Sequence, residues 1–173
     1  DDFSSPFLST LIYKTDKMKA YKFIIAAALI LFSGCNSSDP QVKAAYDVIT
    51  RSVGSVENLT LEVVDAEDGK DRYEITASDG RLLIKGSSPT ALCYAFNKYL
   101  RSACGSMITW GGKNLNLPQQ WPDYIESETS PYLFRYFLNV CTFGYTAPYW
   151  NWDRWSQEID WMALHGVNMP LAS

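Results

Sequence analysis

Arg135-Tyr-Phe-Leu-Asn-Val-Cys-Thr-Phe-Gly-Tyr145, Asn151-Trp-Asp-Arg-Trp-Ser-Gln-Glu-Ile-Asp-Trp-Met-Ala-Leu-His-Gly166 and Val167-Asn-Met-Pro-Leu-Ala172 are the stretches whose reading decides the fold. A short apolar run at 136–141 leads into a long aromatic loop. A segment of helical period over 151–165 follows, Gly166 closes it, and a second apolar run begins at Val167. This is one βαβ unit. A parallel strand pair cannot bury both faces alone, so the unit belongs to a doubly wound sheet or a (β/α)8 barrel that contains several more. The loop after the first strand is long and the return from helix to strand is about one residue, the asymmetry expected of a barrel's functional face. The expectation is a fragment whose parent carries much of its chemistry beyond Ser173.

Working outward, 118–131 turns polar and carries Pro118, Pro122 and Pro131. Its core, 121–131, reads as a linker pinned to a neighbour by Trp121 and Tyr124. Glu126 and Glu128 lie in it, where paired carboxylates read as solvated surface and not as a catalytic pair. Upstream, 39–120 reads as a small α/β domain. Ser38-Asp39-Pro40 starts a helix that buries Val42, Ala45, Tyr46, Ile49 and Val53 and ends at Gly54. Leu59, Leu61 and Val63 alternate as a strand, as do Tyr73, Ile75 and Ala77. Ser78-Asp79-Gly80 turns the second of these into the 81–85 run. Ser88 caps a second helix with Pro89 at its first position, its stripe formed by Leu92, Ala95, Phe96, Tyr99, Leu100 and Ala103. Short runs at 107–110 and 115–117 are expected to complete a sheet, antiparallel in part, with helices on one side.

The first residue is Asp1, and 1–17 has no clear period; it reads as mistranslated upstream sequence. Met18 opens the order of a secretory signal: Lys19 and Lys22, ten apolar residues at 23–32, then Ser33-Gly34-Cys35. Ten residues fall short of the roughly twenty of a spanning helix. Small residues before Cys35 resemble a lipobox, so 18–35 is expected to be a lipoprotein signal peptide and Cys35 the lipidated N-terminus. The expected location is the periplasm or cell surface of a Gram-negative bacterium, with membrane contact only through the lipid. Removing 1–35 takes four of the 15 Lys and Arg and three of the 19 Asp and Glu, leaving 11 against 16 and a net charge of −5. That balance gives no basic patch for nucleic acid. Cys93, Cys104 and Cys141 have no metal-knuckle spacing, so neither a metal site nor a disulfide framework is expected. His165 stands at a helix end and reads as a capping group, not a ligand or base.

Thirteen of the 41 residues over 121–161 are aromatic, a density useful to a cleft in which sugar C–H faces pack on rings. Packing accounts for part of it: Trp152, Trp155, Ile159 and Met162 recur at helical spacing and are expected to face the sheet. Asp153, Glu158 and Asp160 then read as solvated or salt-bridged. Asn139 and Cys141, two apart, are expected to share the strand face that looks into a closed barrel. Tyr145 follows at the same end.

These stretches, with Trp150-Asn-Trp-Asp-Arg-Trp155, resemble the alpha-N-acetylglucosaminidase family of glycoside hydrolases (glycoside hydrolase family 89). A looser resemblance covers 86–105, which is similar to the helix of the small domain preceding the barrel in that family. The resemblance implies an α/β chain: a small α+β N-terminal domain, then over 132–173 the first β-α-β unit of a (β/α)8 TIM-like barrel. It implies an exo-acting, retaining hydrolase that removes terminal alpha-linked N-acetylglucosamine from a glycan without metal or other cofactor. It further implies Asn139, Cys141 and Tyr145 as substrate contacts. Retaining chemistry needs two carboxyl groups about 5–5.5 Å apart. The family's pair comes from later strands, so no catalytic residue is expected in this chain and it is expected to be inactive by itself. His165 replaces the Asn common in the family, and Pro170 is expected to force a bulge or a local break in its strand. The competing reading is a surface lipoprotein that binds glycan or protein without catalysis; unpaired strand edges weigh against it. The sequence leaves the oligomeric state open.

Overall fold

The computed structural model of the chain describes residues 39–137, 139 and 141–171. The signal-peptide and upstream readings, and Cys35 with them, lie outside the described residues. The element order is α1 (Pro40–Val53), β1 (Leu59–Val63), β2 (Arg72–Ser78), β3 (Arg81–Gly86), α2 (Pro89–Ala103), β4 (Met107–Thr109) and β5 (Gly112–Asn114). It continues with β6 (Tyr124–Thr129), β7 (Tyr136–Phe137), α3 (Thr142–Tyr145), α4 (Trp152–Leu164) and β8 (Met169–Pro170).

The helices begin where the sequence supplies acceptors for orphan N–H groups. Asp39 accepts from Gln41 N at 2.8 Å, Ser88 from Ala91 N at 3.1 Å and Asn151 from Arg154 N at 3.0 Å. Pro40 and Pro89 sit at the first helical positions. Gly54, directly after α1, and Gly166, two residues past the end of α4, take φ of +90° and +77°, positive values at which glycine carries no Cβ penalty.

β1, β3, β2 and β6 form one mixed sheet in that spatial order; β1 runs parallel to β3, and β2 antiparallel to both its neighbours. Leu61, Tyr73, Ile75, Ala77, Leu82 and Ile84 point to the face covered by Ala45 and Ile49 of α1 and by Leu92, Phe96, Tyr99 and Leu100 of α2. The linker expected over 121–131 instead contains β6, the sheet's fourth strand. Trp121 packs edge-on against Phe96 and Tyr99 and donates to Glu57 O at 2.8 Å, while Tyr99 donates to Pro122 O at 2.7 Å. Backbone pairing with β2 supplies what the polar sequence does not advertise. The expected runs at 107–110 and 115–117 also differ: β4 pairs with β5 in a separate hairpin, and 115–117 is not a strand.

The βαβ unit is present. β7 and β8 pair in parallel, Tyr136 opposite Met169 and Phe137 opposite Pro170, with α4 between them. Pro170 forces no bulge, and the strand ends at it. Met169 N donates to Arg135 O and Leu171 N to Phe137 O at 3.0 Å, so the residues on either side of Pro170 address β7. Its missing N–H therefore falls on the opposite side.

The face of α4 differs most from expectation. Its buried residues are Glu158, Asp160, Met162 and Leu164, whereas Trp152 is 73% exposed and Ile159 46%. α4 packs on α1 and α2 of the small domain. Arg51 grips Asp160 through both oxygens at 2.8 and 2.9 Å, and Asn97 Nδ2 donates to Leu164 O at 2.9 Å. Glu158 and Asp160 are salt-bridged, one of the two expected readings, but they are buried in doing so, while Asp153 stays exposed and half of the expected stripe faces outward.

Candidate functional site

Asn139, Cys141 and Tyr145 all lie past the C-terminal end of β7 and all are exposed, Tyr145 at 65%. Asn139 and Cys141 do not share a strand face. The Asn139 side chain accepts from Cys141 N at 2.9 Å, and Cys141 O accepts from Gly144 N at 2.9 Å. That Asx turn takes the N–H a strand ladder would use and converts the extended run into the first turn of α3. The three residues nevertheless occupy one short stretch at the end of the strand where barrel enzymes carry their chemistry.

Behind this stretch the loop closes on α4. Trp150 N donates to Ala147 O at 3.1 Å, and Ala147 is 4% exposed. The Trp150 ring meets Trp155 edge-on at 4.9 Å, and the Arg154 guanidinium lies 4.0 Å from the Trp150 centroid. Arg154 pairs with Glu158 at 2.8 Å, and both oxygens of that fully buried carboxylate also accept from Trp110 Nε1, at 3.0 and 2.8 Å. Sequence reading passed over Trp110 because its partner is 48 positions away.

Two openings flank the unit. A groove of about 770 Å³ runs between the β4–β5 hairpin and α4. A smaller cavity of about 290 Å³, floored by Tyr73, Tyr94 and Glu128, lies where the small domain meets Arg135 and His165. Asn139, Cys141 and Tyr145 line neither.

The charged groups at that second seam are accounted for by one another. Burial pushes the Asp71 carboxyl up, but hydrogen bonds from Ser88, Arg135 and Ser87 and the Arg135 charge outweigh it, so its pKa lies below the ordinary value. Glu126 follows the same balance: burial raises it, and hydrogen bonds from Tyr124, Tyr73 and Lys98 carry it below its usual range. Tyr73 is driven well upward, first by burial and then by the two carboxylates that accept from it. Glu126 is therefore a half-buried polar anchor of an edge strand, whereas Glu128 stays exposed, as the surface reading expects, and accepts from Tyr73 at 3.0 Å. His165 behaves as a cap, its ring stacked on Trp161 at 4.4 Å and its Nδ1 2.8 Å from Trp161 O. Among the described residues no group of three or more His, Cys, Asp or Glu is placed to hold a metal ion, and no helix is long and apolar enough to cross a membrane.

The profile of the alpha-N-acetylglucosaminidase (NAGLU) N-terminal domain matches residues 43–123, and that of the NAGLU tim-barrel domain matches 135–173. The chain belongs to the alpha-N-acetylglucosaminidase family. Human alpha-N-acetylglucosaminidase is 39% identical over 110 residues, 62% of this chain and 15% of that protein. A family 89 glycoside hydrolase from Clostridium perfringens, in complex with 2-acetamido-1,2-dideoxynojirmycin, superposes with a TM-score of 0.72 at 31% identity, covering 86% of this chain and 18% of that one. A Clostridium perfringens family 89 enzyme with two glutamates replaced by glutamine, in complex with its substrate GlcNAc-alpha-1,4-galactose, gives 0.71 at 33% identity over 76% of this chain and 16% of that one. The chain thus spans less than a fifth of the length of these relatives. Its two layers are those of the family: the mixed sheet with α1 and α2 is the N-terminal domain, and β7-α4-β8 opens the barrel.

Proposed function

We propose that this chain supplies the N-terminal domain and the first barrel unit of an exo-acting, retaining hydrolase of terminal alpha-linked N-acetylglucosamine. Asn139, Cys141 and Tyr145 would hold the sugar. The observation that carries the reading is the joint family match of the small domain and the βαβ unit, with those three residues exposed together at the C-terminal end of β7. Asn offers a donor and an acceptor to sugar hydroxyls, Tyr145 a ring face and a phenol, and Cys141 a small weakly polar wall. The paired carboxyl groups of the retaining reaction are assigned outside this chain, so the chain alone is inactive in this reading. The relative bound to GlcNAc-alpha-1,4-galactose supports an alpha-N-acetylglucosaminide as the substrate class. No cofactor is invoked, and the glycan is the partner. Cys35 is proposed to carry a lipid that anchors the protein in the periplasm or at the cell surface.

The test is release of N-acetylglucosamine from an aryl alpha-N-acetylglucosaminide by the product of the full gene. Asn139→Ala is expected to lower kcat/KM by about 5- to 150-fold, as for a hydrogen bond of roughly 1–3 kcal/mol left unmade. Unchanged kcat/KM removes Asn139 from the site, and no release by the wild type removes the hydrolase reading. Cys35→Ser is expected to move the protein from the membrane to the soluble fraction.

A further inference from the structure

We propose that the β4–β5 hairpin of the small domain sets the position of the loop between β7 and α4, and that Trp110 is a positioning residue for the sugar site. The proposal rests on the reading of Asn139, Cys141 and Tyr145 as sugar contacts.

The connection can be followed atom by atom. Trp110 sits at the tip of the hairpin, 54% exposed, in a two-stranded element outside the main sheet. Its indole N–H reaches both oxygens of Glu158, which is wholly buried. A carboxylate without water is costly unless it is paired and hydrogen-bonded. Arg154, one turn earlier on α4, supplies the charge, and Trp110 supplies a donor from a different domain. The Arg154 guanidinium then lies between two indoles, 5.5 Å from the Trp110 centroid and 4.0 Å from that of Trp150. Trp150 closes the turn to Ala147, two residues beyond Tyr145. A shift of the hairpin therefore reaches the loop through one stacked cation.

Docking of α4 does not depend on this chain of contacts. Arg51 with Asp160, and Asn97 with Leu164 O, already fix the helix to the small domain. An exposed indole at a hairpin tip adds little to a core that lies elsewhere. What it fixes is the orientation of Arg154, and through it Trp150 and the loop. Small displacements of groups that hold a substrate cost rate or affinity out of proportion to their size.

The experiment pairs two measurements on Trp110→Ala and Trp110→Phe, with Arg51→Ala as a variant that loosens docking away from the loop. Hydrogen exchange on this chain is expected to show amides of 141–151 exchanging about tenfold faster in Trp110→Ala, with β2 and β3 unchanged. Trp110→Phe keeps a ring but loses the N–H, and is expected to fall between wild type and Trp110→Ala. Arg51→Ala is expected to leave the loop's exchange unchanged relative to the sheet. In the full-length enzyme, Trp110→Ala is expected to raise KM several-fold, with kcat within about twofold of wild type. Loop exchange that stays at the wild-type rate, or that rises only in step with the sheet, overturns the proposal, as does a fall in kcat at constant KM. If the wild-type enzyme releases no N-acetylglucosamine, the hydrolase reading fails, and the exchange measurement alone decides whether the hairpin holds the loop.

Discussion

Asp71 and Arg135 show how much a single pair can join. Asp71 precedes β2, Arg135 precedes β7, and their ion pair bridges 64 positions of sequence. Ser87 Oγ donates to the other Asp71 oxygen at 2.9 Å, and the side chains are only 18% and 21% exposed. Removing one partner leaves the other charge half-desolvated, so Asp71→Asn is expected to destabilise the chain by about 1–3 kcal/mol in urea unfolding at neutral pH. Asp71 and Glu126 both have folded pKa values below their unfolded ones. Their contribution is present above the unfolded values, about 3.9 and 4.3, and is lost as pH falls through the lower folded values. The urea midpoint is expected to drop on acidification below about pH 4, less steeply in Asp71→Asn, and an equal drop in both proteins would assign the acid sensitivity elsewhere. Cysteine chemistry gives a second check at this scale. Burial, reinforced by Asp160, pushes the Cys93 thiol up to about 12, and Cys104 is raised mainly by burial, whereas Cys141 is exposed. Iodoacetamide at neutral pH is expected to label Cys141 in the native chain and to spare Cys93 and Cys104, read out by mass spectrometry of peptides.

At the scale of elements, α1, β2, β3 and α2 were legible because their signals are local. Asp39 and Ser88 cap, Pro40 and Pro89 start, and Asp79-Gly80 turns, each within a few residues of what it controls. β6 was not legible, because its half-buried residues Tyr124 and Glu126 look solvated until Tyr73 and Lys98, far back in the chain, are brought opposite. α4 misled for the same reason. Its helical period was plain, but the face it buries is chosen by Arg51 and Asn97 of another layer as much as by hydrophobicity. Local pattern also hides close approaches. A Cβ placed on Gly86 would stand 2.9 Å from Leu92 N and 3.0 Å from two Leu92 side-chain atoms, where α2 crosses the end of β3. The obstacle is partly backbone and cannot rotate away. Gly86→Ala is therefore expected to cost about 1–3 kcal/mol in urea unfolding, and a neutral result would mean that the α2–β3 crossing yields more readily than a packed core does.

At the scale of the molecule, the placement of the proposed sugar contacts was only partly legible: Asn139, Cys141 and Tyr145 lie together at one end of β7, but through an Asx turn and not through a shared strand face. The larger lesson is where support for the barrel unit comes from. Its two strands pair over two residues each, and α4 buries Glu158, Asp160 and Leu164 against the small domain. Such a hairpin-sized sheet with one helix cannot enclose a core of its own. The small domain, in contrast, has a four-stranded sheet under two helices and a continuous cluster from Ala45 to Trp121. Unfolding of the described chain is thus expected to be a single transition in which 132–171 has no stability apart from 39–131. A peptide of 132–171 should show no cooperative melt by circular dichroism. The 39–131 piece should still melt cooperatively, but at a lower temperature than the intact chain, since α2 loses the helix that covers Asn97 and Arg51 loses Asp160. A sharp melt of the isolated 132–171 peptide, or an unshifted melt of 39–131, would show that the two layers stand independently and that the Arg51, Asn97 and Asp71 links are incidental to folding.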